Sequence, residues 1–312
     1  MKHVSLTGVD RPVSAIVLGL LRICDKSDQE IRDLLAAGFD RGVTMVDTAD
    51  CYGPTDHEAE ARLAGAARWT GEQRQKVIIQ TKCGIVREGG PYFDFSHDHI
   101  LQAVEESLKA LRTDYIDILL LHRPDALVEP EEVAKAFDTL KAGGKVLHFG
   151  VSNHTPAQID LLKTCVDEAL VANQLQLSIT HAPIIAQGLA MNMQALPQSV
   201  DRGSSILDYC RLNSITVQAW SPFQAGFFTG PFLGDRAGYR ELNKEIDAQA
   251  EAHGVAPIAI ATAWITRHPA KMQVVTGSTN PGRIADACAG ADVELTRAEW
   301  YALFRAAGYL IP

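Results

Sequence analysis

Four ionisable side chains each stand at or just past the end of an apolar run. Asp47 follows Val43-Thr44-Met45-Val46, Lys82 follows Val77-Ile78-Ile79-Gln80-Thr81, and His122 follows Ile118-Leu119-Leu120-Leu121. Tyr52 comes five residues after Asp47, in Asp47-Thr48-Ala49-Asp50-Cys51-Tyr52-Gly53. A strand core takes apolar residues, so an acid, a phenol, an amine and an imidazole at successive strand ends point to one shared pocket. A phenol ordinarily ionises near pH ~10. A neighbouring ammonium favours the phenolate and lowers that value. Lys82 is the available ammonium, and Asp47 is the carboxylate that keeps it charged in a dry pocket. His122 can hydrogen-bond a substrate oxygen and orient it. Such a set suits protonation of an oxygen as a hydride reaches the adjoining carbon, hence carbonyl reduction and its reverse.

Taken singly, each residue also has a structural reading. Asp47 could cap a helix, Tyr52 could pack, Lys82 could be solvated, and His122 could be a satisfied histidine near the core. Lys82 could also form a Schiff base, as in a barrel aldolase. Their succession at strand ends is what favours a common site.

The elements that must position them alternate strand and helix. Strands are expected near residues 15–19, 43–47, 77–82, 118–122, 148–152, 170–174, 215–220 and 273–276. Between them lie helix signals. Ser27 and Glu30 have capping-box spacing before an apolar stripe of Ile31, Leu34 and Leu35. Ser96 precedes the stripe Ile100, Val104, Leu108 and Leu111. Pro130 opens a helix that Gly143-Gly144 closes, and Thr155-Pro156-Ala157-Gln158 starts another. Further helices are expected near 56–67, 258–267 and 297–307, and residues 4–6 and 13–15 suit a hairpin closing the barrel bottom. Eight strand–helix units fit a (β/α)8 TIM barrel forming a single domain over residues 1–312, whose C-terminal strand ends open on one face where active sites form.

Composition narrows the function. The chain has 312 residues, 46% hydrophobic and 21% charged, an ordinary globular balance. A net charge of −9 repels phosphate backbones, so nucleic acid is not an expected partner. No apolar run has membrane-span length, and residues 1–8 lack the apolar region of a secretory signal. The six cysteines are scattered with no Cys-x-x-Cys pair, which reads as reduced thiols in a cytoplasmic protein.

The ordered set of motifs resembles the aldo-keto reductase superfamily. The likeness rests on Val46-Asp47-Thr48-Ala49-Asp50-Cys51-Tyr52-Gly53, Thr81-Lys82 and the segment from Asp114 to His122. It continues through residues 144–153, ending Gly150-Val151-Ser152-Asn153, to Thr276-Gly277-Ser278-Thr279. It covers nearly the whole chain. It implies a TIM-barrel reductase of aldehydes and ketones that uses NADPH, with NADH possible, and neither metal nor flavin. Tyr52 would be the general acid, Lys82 and Asp47 its tuning pair, and His122 the carbonyl-orienting residue. Asn153 and Gln174 would answer the donor and acceptor of a nicotinamide carboxamide, with Ser152 a third partner. Trp220 would stack on the nicotinamide. Ser221 and Pro222 would begin the loop over the pyrophosphate. Gly277, Ser278, Thr279 and Arg283 would meet the ribose phosphate at a helix N-terminus. Gly277 departs from the lysine that many members carry there. A second reading stays open from the same likeness: a cofactor-sensing binding subunit with little turnover.

Substrate contacts are sought in three loops, residues 83–95, 175–203 and 222–239, with the tail 308–312. Tyr92, Phe93, Phe223, Phe227 and Phe228 suit an apolar lining. Arg123 either meets a substrate carboxylate or pairs with Asp125, and the pairing is the favoured expectation. The resemblance implies a small-molecule carbonyl substrate; oligomeric state is left open. His97-Asp98-His99 has zinc-ligand spacing but falls at a helix start rather than a strand end, so it is not taken as a metal site. No Gly-x-Gly-x-x-Gly follows a strand, which disfavours a Rossmann dehydrogenase.

Overall fold

The computed structural model describes residues 1–193, 195–227 and 229–312. A short antiparallel hairpin comes first, β1 (His3–Val4) on β2 (Val13–Ser14). The first half of the chain continues β3 (Ile16–Gly19), α1 (Asp28–Phe39), β4 (Met45–Asp47), α2 (Glu58–Ala67), α3 (Gly71–Lys76), β5 (Ile78–Cys83), β6 (Ile85–Val86), β7 (Tyr92–Phe93), α4 (His97–Leu111), β8 (Ile116–Leu121) and α5 (Pro130–Ala142). The second half runs β9 (Val146–Ser152), α6 (Pro156–Leu162), β10 (Leu170–Gln176), α7 (Pro183–Leu189), α8 (Ile206–Leu212), β11 (Thr216–Trp220), α9 (Arg240–His253), α10 (Pro257–Thr266), β12 (Gln273–Thr276), α11 (Pro281–Gly290) and α12 (Arg297–Ala306). Among the described residues, eight parallel strands close a barrel in the order β3-β4-β5-β8-β9-β10-β11-β12, and β12 pairs back onto β3. This is the expected TIM barrel. No helix of the described residues is long and apolar enough to cross a membrane.

Three local expectations shift. The bottom hairpin is shorter than 4–6 against 13–15. Leu6 leaves the ladder because its carbonyl accepts the Val9 N–H in a turn, and its side chain is buried. α2 starts at Glu58 rather than at 56, because His57 takes the left-handed conformation. The long stretch after β10 carries α7 and a 3-10 turn at Pro197–Ser199.

Period-two alternation divides each barrel strand between two cores. Ile16, Leu18, Val46, Ile79, Leu119 and Val274 face the layer beneath the helices. Val17, Met45, Ile78, Ile118, Leu120 and Val275 gather in the barrel interior, where Val4 and Leu6 plug the bottom. Stepping by two up the inward column, apolar residues give way to polar ones. Met45 leads to Asp47, Ile78 to Gln80 and Lys82, Leu120 to His122, and Ala172 to Gln174. The site is therefore the top of the barrel's own interior.

Gly150 sits in that interior on β9. A Cβ there would lie 2.7 Å from Leu120 Cδ2 and 2.8 Å from the Ala172 carbonyl oxygen, which is backbone and cannot yield. Gly150→Ala should lower unfolding free energy by ~1–3 kcal/mol through overpacking. Chemical denaturation checks this; unchanged stability would mean that the β9–β10 contact has slack.

Candidate active site

Lys82 is wholly buried at the end of β5, and a buried ammonium must find acceptors. Its Nζ donates to Asp47 Oδ2 at 2.7 Å, the Thr48 carbonyl at 2.7 Å and the Tyr52 hydroxyl at 3.2 Å. One cation thus joins a strand end to both the start and the phenol of the β4–α2 loop. The loop is held to the neighbouring strand β5 by backbone bonds as well, Thr48 N to Gln80 O and Asp50 N to Lys82 O. The other oxygen of Asp47 accepts from Gln80 Nε2 at 2.6 Å and Gln174 Nε2 at 2.9 Å. These amides extend downward. Gln80 and Gln218 exchange hydrogen bonds, Gln218 donates to Gln273, and Gln273 donates to the Ser14 carbonyl. Every member of this glutamine layer is buried.

His122 follows β8, its N–H bound to the Cys83 carbonyl, and its ring meets Tyr52 edge-on at 5.7 Å between centroids. Its Nδ1 lies 3.6 Å from Cys51 Sγ. The four sequence-selected residues therefore do converge. Arg123 comes next. Asp125 does not pair with it: that carboxylate is taken by the Phe95 and Leu127 N–H groups. The guanidinium lies instead over the Trp220 ring, 5.8 Å from its centroid.

Burial dominates the electrostatics. It opposes charge on Lys82, but the Asp47 carboxylate and Tyr52 more than offset it, so the lysine is raised above its ordinary value and stays an ammonium. Burial raises Tyr52 too, and Lys82 only partly counters it. The expected lowering of the phenol is thus overturned for the protein by itself: desolvation outweighs the adjacent cation. His122 is held well below its usual value by burial, then by Lys82 and Arg123, and is a neutral imidazole. Asp50 is pushed up to about 7 by burial and by Glu60. Cys51 is pushed up to about 12 by burial and by Asp50, and so remains a thiol.

Around this centre lie the other sequence-selected residues. Ser152 ends β9, and its hydroxyl donates to the Gln174 carbonyl. Asn153 takes a left-handed backbone; its amide donates to Ser152 Oγ and its oxygen accepts from Trp220 Nε1 at 3.1 Å. Gln174 spends its amide N–H groups on Asp47 and Gln218, which leaves its oxygen as the group facing out of the network. Ser221 is also left-handed, and Pro222 is buried. Gly277, Ser278 and Thr279 are half-buried between β12 and α11, and Arg283 is exposed on the first turn of that helix. Phe93 is exposed on β7, and Phe223 is half-buried against the outer core. Phe227 meets Trp220 edge-on at 6.0 Å; Phe228 lies outside the described residues. His97 and His99 sit on the first turn of α4, away from the strand ends.

Sequence reasoning missed the glutamine layer and the Asp50–Cys51 contact with His122. The signal for the first was present, since Gln80 and Gln218 are polar residues at inward positions of apolar strands. Nothing in the spacing of Cys51 and His122, 71 residues apart, signalled the second.

The chain matches the Aldo/keto reductase family over residues 15–306. It is 35% identical over 303 residues to a 6-dehydroglucose reductase of Agrobacterium fabrum, covering 94% of this chain and 93% of that one. It is 32% identical over 309 residues to the oxidoreductase YdhF of Escherichia coli, covering 96% and 95%. An aldo-keto reductase from Klebsiella pneumoniae, solved in complex with NADPH, superposes with a TM-score of 0.76 at 26% identity, covering 100% of this chain and 96% of that one.

Lys82→Met should leave the Asp47 carboxylate buried without its cation and cost ~3–5 kcal/mol at neutral pH. Adding Asp47→Asn should recover much of that loss. Denaturant titration of both variants checks this; a double variant no more stable than the single one would show that the unpaired carboxylate is not the source.

Proposed function

Since this chain belongs to the aldo/keto reductase family of oxidoreductases, we propose that it reduces aldehydes or ketones to alcohols with NADPH, Tyr52 acting as general acid, as a single domain over residues 1–312. The observation that carries this reading is the buried Asp47–Lys82 pair holding the Tyr52 hydroxyl at 3.2 Å beside a neutral His122.

The strand ends suit a nicotinamide dinucleotide. Thr276 Oγ1 is buried without a hydrogen-bond partner at the end of β12, and a Cβ on the adjoining Gly277 would meet nothing within 4 Å. A polar atom in need of a partner and open space thus lie together at the start of α11. There the exposed Arg283, with Ser278 and Thr279, would hold a phosphate. Trp220 would offer its ring to the nicotinamide, with Ser152, Asn153 and the Gln174 oxygen at the carboxamide, and Ser221 and Pro222 under the pyrophosphate. When bound, the cofactor supplies the hydride.

The chain's own residues handle the proton and the position of the oxygen. Neutral His122 can donate from the ring nitrogen not facing Cys51 and so orient a carbonyl oxygen without adding charge. Tyr52, kept protonated by burial, gives its hydroxyl proton to that oxygen. Lys82 stabilises the phenolate that remains, and Asp47 keeps Lys82 charged. Because burial raises Tyr52 rather than lowering it, its acid form persists across neutral pH. Arg123, Phe93 and Phe223 are the proposed substrate contacts. Among the described residues Arg123 has no carboxylate within ion-pair distance, so its N–H groups are available to an oxygen-rich carbonyl compound.

Tyr52→Phe removes the proton donor and keeps the ring. Carbonyl reduction should fall by at least ~100-fold with NADPH affinity nearly unchanged. Single-turnover oxidation of bound NADPH across an aldehyde and ketone panel reads this. Near-normal turnover in the variant would remove Tyr52 from the role, and no turnover in the parent protein would favour a cofactor-sensing subunit.

Arg283→Ala should weaken NADPH much more than NADH. Fluorescence titration with both cofactors decides it, because equal losses would rule out a contact to the 2′-phosphate.

A further inference from the structure

Cys51 and Asp50, from the loop after β4, meet His122, from the end of β8, beside the phenol of Tyr52. Cys51 Sγ is 3.6 Å from His122 Nδ1, and a carboxylate oxygen of Asp50 completes a set whose three ligand atoms lie within 4.8 Å of one another. Asp50 is 6% exposed, and its Oδ1 is buried with no hydrogen-bond partner. A buried carboxylate oxygen without a donor is costly, and such exceptions call for a reason. A cation between the three side chains would give the Asp50 carboxylate a partner.

Thiol, imidazole and carboxylate together suit zinc rather than magnesium or calcium, which take oxygen ligands. Zinc bonds of about 2.3 Å to sulfur and about 2.0–2.1 Å to nitrogen, at a tetrahedral angle, place the two atoms about 3.5 Å apart. Two of the three ligands therefore already stand at the required separation. Cys51 and His122 are half-buried, and Asp50 is buried.

We propose that a thiophilic divalent metal, such as Zn2+, binds Asp50, Cys51 and His122 and reversibly inhibits the enzyme. No electron moves. The Cys51 S–H bond breaks as the metal–sulfur bond forms, its proton passing to solvent, and any proton on Asp50 leaves likewise. The resulting thiolate and carboxylate balance the two charges of the metal. Lys82 is near, but its charge is already paired with Asp47. Inhibition follows from geometry. Drawing the Asp50 oxygen onto the metal pulls the loop that also carries Tyr52, whose N–H is bonded to the Ala49 carbonyl. A shift of order 1 Å at a proton donor can cost ~100-fold in rate.

The test uses the full chain with Co2+ as a spectroscopic probe and Zn2+ as inhibitor. Co2+ should bind at one equivalent with a near-ultraviolet thiolate-to-cobalt band, release protons, and be displaced by Zn2+. One equivalent of Zn2+ should slow carbonyl reduction at least ~10-fold, and a chelator should restore it. Cys51→Ala should abolish the band and raise the half-inhibiting Zn2+ concentration at least ~10-fold, the scale of losing one ligand. Asp50→Asn should weaken Co2+ binding. Cys24→Ser, which removes the other half-buried thiol near Tyr52, should keep the band and the inhibition. Absence of the band, its loss in Cys24→Ser but not in Cys51→Ala, or bound Zn2+ with turnover unchanged would each overturn the proposal. The spectroscopic arm stands apart from turnover, so failure of the reductase reading is distinguishable from failure of the metal site.

Discussion

The buried pair of Asp47 and Lys82 is the constraint on which the site depends. An ammonium with no exposed surface is tolerated only if its protons are met and its charge is answered. Here three acceptors do so, and one of them is the hydroxyl of Tyr52. The phenol is therefore held where the lysine requires a partner. Asp47 in turn needs donors for its second oxygen. The amides of Gln80 and Gln174 supply them, and those amides need partners of their own. A single desolvated charge thus accounts for a polar column that runs down to the Ser14 carbonyl at the barrel bottom.

Such a column is high-stakes. In a low-dielectric interior each satisfied hydrogen bond is strong and each missing one is costly. The reward is that the Tyr52 hydroxyl, although on a loop, is pinned by a side chain of the barrel itself. The same dryness sets the protonation states. Burial keeps Tyr52 protonated against the pull of Lys82, and keeps His122 neutral with the help of two nearby cations. A proton donor and an uncharged hydrogen-bonding partner come from one physical cause, desolvation, acting on two different groups.

The chain's periodicity made much of this legible. Apolar runs alternating with helix signals, three of them stopping at an ionisable side chain, were readable as a barrel with its site at the strand ends. The eight strands lie where the apolar runs stand, and Asp47, Tyr52, Lys82 and His122 converge. Ser27, Ser96 and Thr155 cap helices as their spacing implies, because a cap is decided within four residues. Arg123 was misjudged for the opposite reason. Its proximity to Asp125 in sequence suggested a pair, but the carboxylate was claimed by two backbone N–H groups, one of them thirty residues away.

By itself, then, the sequence determined the strand–helix alternation, the strand ends as the place of the site and the identity of the four converging side chains. All of these follow from local periodicity and from the burial preference of residue types. Only the tertiary structure decided what each polar group bonds to. It joined Gln80 to Gln218 across the barrel, turned the amide of Gln174 toward Asp47, and brought Cys51 against His122. It also reversed the expected shift of Tyr52. Distance to a charge can be guessed from a motif, but the desolvation that outweighs it depends on how much of the whole chain packs around the group, and no local pattern records that sum.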